Sequence, residues 1–217
     1  MIILFDLDGT LIDSTEAILE SFHNSFDIHK SKHPDDEKIK QLIGYPLDKM
    51  YLDLGIDENQ VWDYVATYKE HYRKIATEKT ERLECAREAV LSASKFASLG
   101  VVTTKTALYS KELLEYFGLM QYFKVLIGRE DVVLPKPDAE PILKALEAIS
   151  LEGKKEDVWM IGDTKLDLIS ARNAGVNSIG VLSGYDPKSV IEKFTDVVCS
   201  DALEAVHYLS NRKISHN

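Results

Sequence analysis

The sequence predicts an α/β protein with a doubly wound parallel sheet and an inserted all-helical segment. From residue 83 onward, short apolar runs alternate with amphipathic segments of helical period, which is typical of parallel strands joined by helices. From about residue 15 to 82 the period is helical, without a convincing strand. We therefore expect an α/β core of residues 1–14 and 83–217, with a helical cap domain at 15–82.

The apolar run from Ile2 to Phe5 predicts the first strand. Asp13, with Glu16 three residues later, has the form of an amino-terminal helix cap, so we expect a helix to start there. Within the predicted insert, apolar and aromatic side chains recur most clearly at helical spacing in one stripe, made of Val61, Val65, Tyr68, Tyr72 and Ile75.

After the insert, strands and helices take turns. The predicted strands are 101–104, 125–127, 158–161, 178–182 and 197–198. The predicted helices are 86–97, one ending at Phe117 before Gly118, 141–149, 165–174 before Gly175, and one from Ala202. Right-handed crossovers between parallel strands place helices on both faces of such a sheet.

Composition and charge limit the classes of partner. The chain has 26 lysines and arginines against 36 aspartates and glutamates, a net charge of −10, so we expect no nucleic acid partner. Its apolar runs are shorter than the ~18 residues of a membrane span. The start of the chain lacks the basic and apolar regions of a signal peptide, which favours a cytoplasmic protein. Cys85 and Cys199 are expected to be free thiols.

Polar residues follow each predicted strand of the sheet. The carboxyl ends of parallel strands share one edge, so we expect these side chains to meet. Several aspartates in one place repel each other unless a cation neutralises them, and an all-oxygen ligand set suits Mg²⁺ rather than zinc. Together with a lysine and hydroxyl groups, such a site complements a phosphate dianion. The residues are Asp6, Asp8, Thr103, Lys136, Asp163 and Asp167.

These residues resemble the four motifs of the haloacid dehalogenase superfamily, in the phosphatase branch whose small helical cap follows the first motif. Asp6 to Thr10 resembles the first motif, Thr103 the second, Lys136 the third, and Gly162-Asp163 with Asp167 the fourth. The resemblance therefore spans nearly the whole chain. It implies a core fold similar to that family's Rossmann-like domain.

The resemblance also implies a role for each residue. Asp6 is the implied nucleophile, which forms an aspartyl phosphate, and Asp8 the implied general acid and base. Thr103 and Lys136 would hold phosphate oxygens, with backbone amides of the Asp8 to Thr10 turn as further donors beside Gly9. Mg²⁺ would contact Asp6, the backbone carbonyl of Asp8 and Asp163, with Asp167 acting through water.

Several reactions remain open within this family. The segment 42–47 resembles phosphoglycolate phosphatases and their pyrophosphatase relatives, which favours hydrolysis of a small phosphorylated metabolite, with 2-phosphoglycolate first and pyrophosphate as an alternative. Thr104 departs from the asparagine common there. A sugar phosphomutase usually carries a basic residue after the cap glycine, where Leu47 stands here. A catalytically silent scaffold that binds phosphate or a protein partner is the alternative of another class.

Residues of the predicted cap allow two interpretations each. His23, His29 and His33 are interpreted as a solvated connection rather than a metal site. We interpret four aromatic residues of this segment as packing and three basic residues as solvated surface. The aromatic residues are Trp62, Tyr64, Tyr68 and Tyr72, and the basic residues are Lys69, His71 and Arg73.

The sequence does not decide between a monomer and a homodimer.

Overall fold

A six-stranded parallel sheet forms the centre of the molecule, and its strands lie side by side in the order 123–127, 98–102, 2–5, 158–162, 177–181 and 198–199. The structure is a computed structural model and describes residues 1–149 and 155–214. The strands are β1 (Ile2–Phe5), β2 (Ile12–Asp13), β3 (Glu81–Arg82), β4 (Ser98–Val102), β5 (Phe123–Ile127), β6 (Val158–Gly162), β7 (Asn177–Val181) and β8 (Val198–Cys199). Strands β2 and β3 form a separate antiparallel pair.

Ten α-helices are present in the described residues. They are α1 (Thr15–Ile28), α2 (Asp36–Lys40), α3 (Leu47–Asp53), α4 (Val61–Ile75), α5 (Ala86–Ala93), α6 (Ala107–Tyr116), α7 (Glu140–Ile149), α8 (Lys165–Ala174), α9 (Lys188–Ile191) and α10 (Ala202–Ile214). Within the described ranges, no helix has the length and apolar character that crossing a membrane requires.

Helices cover both faces of the sheet, which confirms the predicted doubly wound architecture. Successive side chains of a strand point to opposite faces. On β1, Ile3 and Phe5 therefore pack with α5, α6 and α10, whereas Ile2 and Leu4 pack with α7 and α8. Because both faces are buried, the central strands are almost entirely apolar.

Helices α1 to α4 form the insert, and strands β2 and β3 join it to the core. We predicted no strand within residues 15–82. This prediction is wrong at Glu81–Arg82, where β3 pairs with β2. Such a short strand, charged at both positions, carries no apolar alternation that the sequence could show. We propose this strand pair as the boundary between cap and core.

The interior of the insert is aromatic. Helix α1 packs along α4, and the ring of Phe22 lies 4.8 Å from that of Tyr51 and 5.0 Å from that of Tyr68. Helix α1 begins at Thr15, whose backbone amide donates to Asp13 Oδ1 at 2.9 Å. Asp13 thus contributes to this helix start as expected, while Ser14 occupies the cap position.

Most element boundaries lie within a few residues of those predicted, and α8 matches. Strand β4 is displaced: it covers Ser98–Val102 rather than 101–104. Gly100 and the polar Ser98 interrupt the apolar run, although both pair with β1 in the sheet. Helix α5 ends at Ala93 rather than at residue 97, so the residues before 101 are free to form the start of β4. Helix α9 was not predicted.

Gly100 lies where α7 packs on the sheet, and its substitution by alanine tests this packing. A Cβ there would stand 2.8 Å from Leu4 Cδ2 and 2.8 Å from Val125 Cγ1. We expect Gly100→Ala to destabilise the protein by about 1–3 kcal/mol through overpacking. This cost exceeds the stabilisation that alanine gives by lowering the backbone entropy of the unfolded chain. Thermal unfolding should show Tm lowered by about 2–4 °C for each kcal/mol.

The double variant Gly100→Ala/Val125→Ala provides the control for Gly100→Ala. Because Val125→Ala removes the Cγ1 atom that meets the new Cβ, the two costs should be less than additive. Fully additive costs would show that the two positions are not coupled by this contact.

Candidate active site

Lys136 lies at the carboxyl edge of the sheet and connects residues that follow three different strands. Its Nζ lies 2.9 Å from Asp6 Oδ1, after β1, and 2.5 Å from Asp167 Oδ1, on α8 after β6. It also donates to the carbonyl oxygen of Val102, the last residue of β4, at 3.1 Å. The lysine is buried. Asp6, Lys136 and Asp167, three of the residues predicted to meet at this edge, therefore lie together.

Three buried carboxylates form a cluster, and two of them contact this lysine. Asp6, Asp163 and Asp167 each place one oxygen within 4.8 Å of the others. Burial, together with the charge of Asp167, raises the pKa of Asp6 to about 7 even though Lys136 opposes the shift. Burial and the other two carboxylates raise the pKa of Asp163 well above its usual value. One lysine therefore does not neutralise the cluster.

The cluster has the features of a site for a hard cation. Asp6 Oδ1 is buried and has no hydrogen-bond donor in suitable geometry among the described residues, although Lys136 Nζ is close in distance. Asp167 differs, because its Oδ2 accepts from the backbone amide of Thr164 at 3.0 Å and from the Thr164 hydroxyl at 2.7 Å. Oxygen ligands at such a site suit Mg²⁺.

The turn after β1 packs directly on Asp163. Gly9 has a φ of +79°, and a Cβ at this position would overlap the Asp163 carboxylate. The Thr10 hydroxyl donates to Asp163 Oδ1 at 2.9 Å, so it orients a carboxylate here rather than facing an open phosphate site. A glycine is required at position 9 for both its conformation and this close approach.

Two amides of this turn, which the resemblance implies as donors to phosphate, have acceptors inside the turn, and their contact with phosphate stays a prediction. The Gly9 amide donates to the carbonyl oxygen of Ile12 at 2.8 Å, and the Thr10 amide donates to that of Leu7 at 3.3 Å. These bonds close the turn itself. The sequence shows which residues allow a tight turn, but it does not show which backbone amides donate hydrogen bonds within that turn.

The side chain of Asp8 lies outside the carboxylate cluster. The Ser14 hydroxyl donates to its Oδ1, and Lys105 Nζ lies 3.1 Å from its Oδ2. The same Nζ lies 4.5 Å from the ring centre of Tyr72, on α4. Burial lowers the pKa of Lys105, but the Asp8 charge and Tyr72 outweigh burial and hold it above its usual value. The predicted metal contact of Asp8 concerns its backbone carbonyl and stays a prediction.

Lys105 lies beside Asp8, although we did not predict it as a site residue from the sequence. The one sequence feature that indicates a role for it is its position directly after Thr103 and Thr104, at the end of a predicted strand. Thr103 is buried, and its Oγ1 accepts from the Lys105 amide at 3.2 Å, which leaves its own proton available to donate. Thr104 donates to the carbonyl oxygen of Gly44 at 2.8 Å, so the position that departs from the family pattern holds the insert against the core.

The histidines of the insert make local contacts. His23 Nε2 lies 2.7 Å from Asp36 Oδ1 and His33 Nε2 lies 2.8 Å from Asp27 Oδ1, in exposed pairs. His29 stacks on the Tyr64 ring. Among the described residues, none of these histidines belongs to a group of three possible metal ligands. Both cysteines, Cys85 and Cys199, are free.

A cavity of about 260 Å³ opens beside Asp8, between the insert and the core. Asp8 and Lys105 line it from the core, and Met50, Val65 and Tyr72 line it from the insert. Tyr64, Tyr68 and Tyr72 are buried, in agreement with the packing interpretation, but Trp62 is 63% exposed and lies at this cavity. Lys69, which we interpreted as solvated surface, also lines it.

Comparisons with known proteins identify the family. Residues 3–181 match the model of the haloacid dehalogenase-like hydrolases. A pyrophosphatase PpaX of Halalkalibacterium halodurans is 32% identical over 206 residues, which cover 90% of this chain and 94% of the relative. A structure of a haloacid dehalogenase-like hydrolase family protein from Streptococcus pneumoniae superposes with a TM-score of 0.85 at 25% identity, covering 95% of this chain and 97% of that one.

A Lactobacillus plantarum structure described as a phosphoglycolate phosphatase superposes with a TM-score of 0.85. Its identity is 20%, and the match covers 94% of this chain and 97% of the other, so this likeness shows the fold alone. The family model and the curated relative cover most of the chain and agree with the resemblance found in its motifs. The chain therefore belongs to the haloacid dehalogenase-like hydrolase family and is a phosphatase, a hydrolase of phosphoric esters.

Proposed function

We propose that this phosphatase depends on Mg²⁺ and hydrolyses a small phosphorylated metabolite through an aspartyl-phosphate intermediate. The observation that carries the proposal is the buried cluster of three carboxylates beside Lys136, with Asp8 close by along the chain. Such a concentration of buried charge is costly unless a cation and an anionic substrate occupy it. Its place at the carboxyl edge of the sheet supports a substrate site.

Asp6 and Asp163 would hold the magnesium ion, with the backbone carbonyl of Asp8, and Asp167 would act on it indirectly because protein donors already occupy its oxygens. When bound, the ion supplies positive charge that neutralises these carboxylates and the phosphate oxygens.

The residues of the chain would carry out two displacements. Asp6 attacks phosphorus and forms an acyl phosphate while the bond from phosphorus to the leaving oxygen breaks. Asp8 donates a proton to that oxygen, then accepts one from the water that attacks the acyl phosphate and regenerates Asp6. Ser14 and Lys105 hold the Asp8 carboxylate in place. Lys136, whose ammonium also contacts Asp6 and Asp167, and the Thr103 hydroxyl would hold the phosphate oxygens.

The resemblance makes 2-phosphoglycolate the first substrate to test, and the name of the curated relative adds pyrophosphate. Leu47, at the position where a sugar phosphomutase usually carries a basic residue, lines the cavity beside Asp8. This apolar residue disfavours the phosphomutase alternative. A silent scaffold would bind magnesium and phosphate without turnover. The experiment that separates these functions is phosphate release from a panel of esters with the nucleophile present or removed.

Asp6→Asn should abolish hydrolysis of every substrate in the panel. The neutral amide keeps the shape of the side chain but does not attack phosphorus, so we expect kcat to fall at least about a thousandfold. Release of inorganic phosphate measures turnover, and acid quenching with labelled substrate measures the phosphoenzyme. Asp57→Asn, at an exposed aspartate of the insert, is the matched control and should keep full activity.

Two results would contradict the mechanism. Labelled phosphate trapped on Asp6→Asn would show that another residue is the nucleophile. Turnover of no ester by the wild type, together with normal magnesium binding, would favour the silent scaffold.

Magnesium should stabilise the folded protein measurably. At a free concentration a hundredfold above Kd, binding contributes about 2.7 kcal/mol, or about 5–10 °C in Tm for a chain of this size. We expect Asp163→Asn to lose most of this shift, because it removes one of the negative ligands. Thermal unfolding with and without MgCl₂, after treatment with a chelator, measures it.

Asp57→Asn again serves as the control and should keep the full shift in Tm. Equal shifts in the wild type and in Asp163→Asn would exclude the buried cluster as the magnesium site. Full activity in excess chelator would exclude magnesium dependence.

A further inference from the structure

We propose that the natural substrate is a phosphate monoester whose leaving group carries a flat apolar ring. The proposal rests on the proposed function, since it concerns the group that leaves on the Asp8 side of the same site. It names a chemical class that differs from both phosphate and glycolate, the leaving groups of pyrophosphate and 2-phosphoglycolate.

The position of the cavity assigns it to the leaving group. Asp8, the proposed proton donor to the leaving oxygen, is one of its lining residues, and so is Lys105. The residues proposed to hold phosphate and metal, Asp6, Lys136 and Asp163, are not among them. A phosphate held by the buried cluster would therefore point its ester oxygen, and whatever is attached to it, into this cavity.

The cavity is larger than a small anion requires. Its volume is about 260 Å³, which accommodates about nine water-sized groups at ~30 Å³ each. Glycolate and phosphate each have only about five non-hydrogen atoms, so either would leave roughly half of this space unfilled. A ring with a short link to the ester oxygen has the matching size.

The walls of the cavity are mainly apolar and aromatic. Met50, Val65 and Tyr72 are buried side chains that form its inner part. Trp62, which is exposed, also lines the cavity, and so does Tyr109 of α6, whose hydroxyl donates to the carbonyl oxygen of Lys69 at 3.4 Å. Ring faces favour another flat ring through stacking and apolar burial. The apolar part of these walls gives a doubly charged leaving group no compensation for its lost hydration.

Most charged groups around the cavity are already engaged. Lys105 pairs with Asp8, Arg129 donates to the carbonyl oxygen of Val132 at 3.2 Å, and Glu130 accepts from the backbone amide of Ala107 at 2.9 Å. Lys69 and Asp48 also line the cavity, and neither forms an ion pair with any residue that the structure describes. Since bonds to backbone groups leave Arg129 and Glu130 charged, the lining carries three basic side chains against three acidic ones, which gives no net positive field for an anionic leaving group.

A matched pair of substrates tests the inference. Ethyl phosphate and 2-phenylethyl phosphate both release a primary alcohol and differ chiefly by the ring. We expect kcat/KM to be at least about tenfold higher for 2-phenylethyl phosphate, as for burial of a phenylalanine-sized group. It should also exceed kcat/KM for pyrophosphate and for 2-phosphoglycolate, all measured with the full chain and MgCl₂.

Trp62→Ala locates the ring in this cavity. The variant should reduce the preference for 2-phenylethyl over ethyl phosphate by about two- to tenfold, the range for one aromatic contact. Tyr116→Ala is the matched control, because Tyr116 is similarly exposed, at 64%, but does not line the cavity. It should leave the preference unchanged. Both residues are exposed, so both variants should fold, which circular dichroism checks.

Equal kcat/KM values for the two esters, or a higher value for pyrophosphate or 2-phosphoglycolate, would overturn this inference while leaving the phosphatase mechanism in place. A preference that survives Trp62→Ala would place the ring elsewhere and overturn it as well. Failure of the wild type to release phosphate from any of the four compounds, with Asp6→Asn as the blank, would instead overturn the proposed function on which the inference rests.

Discussion

The buried ammonium of Lys136 is the interaction on which the site depends. It binds the carboxylates of Asp6 and Asp167 and a carbonyl oxygen of β4, so it fixes the ends of β1 and β4 relative to the start of α8. Removing one partner from such a buried network leaves uncompensated charge, which costs several kcal/mol. The same lysine therefore stabilises this edge of the fold and concentrates the charge that phosphate chemistry requires.

The backbone around this network is shaped to admit the carboxylates. Asp163 is enclosed by Gly9 and Gly184, since a Cβ at either position would overlap its side chain. It is oriented by the Thr10 hydroxyl and by the amide of Tyr185 at 3.0 Å. Asp167 caps the first turn of α8 through Thr164. Hydroxyl and backbone donors therefore fix Asp163 and Asp167, whereas Asp6 is held by the Lys136 ammonium, 2.9 Å from its Oδ1.

The sequence predicted the sheet, its flanking helices and the residues that gather at its edge, because buried strands and the polar residues after them follow one pattern. It did not predict that Lys105 binds Asp8, since an isolated lysine after a strand carries no signal of a partner so distant along the chain. It did not predict the acceptors of the Gly9 and Thr10 amides either, because hydrogen bonds inside a turn depend on its closed geometry. The cavity combines side chains from the insert and the core, so their meeting is visible only in three dimensions.

The insert completes the surroundings of Asp8. The loop after β4 contributes Thr104, which donates to the Gly44 carbonyl of the insert, and Lys105, which pairs with Asp8 while lying against the Tyr72 ring of α4. Two adjacent core residues therefore contact the insert, and one of them also orients the proposed proton donor. The segment of Thr104 and Lys105 thus both holds the insert on the core and places the Asp8 side chain. The proposed acid and the proposed leaving-group cavity therefore lie together, because the same contacts form both.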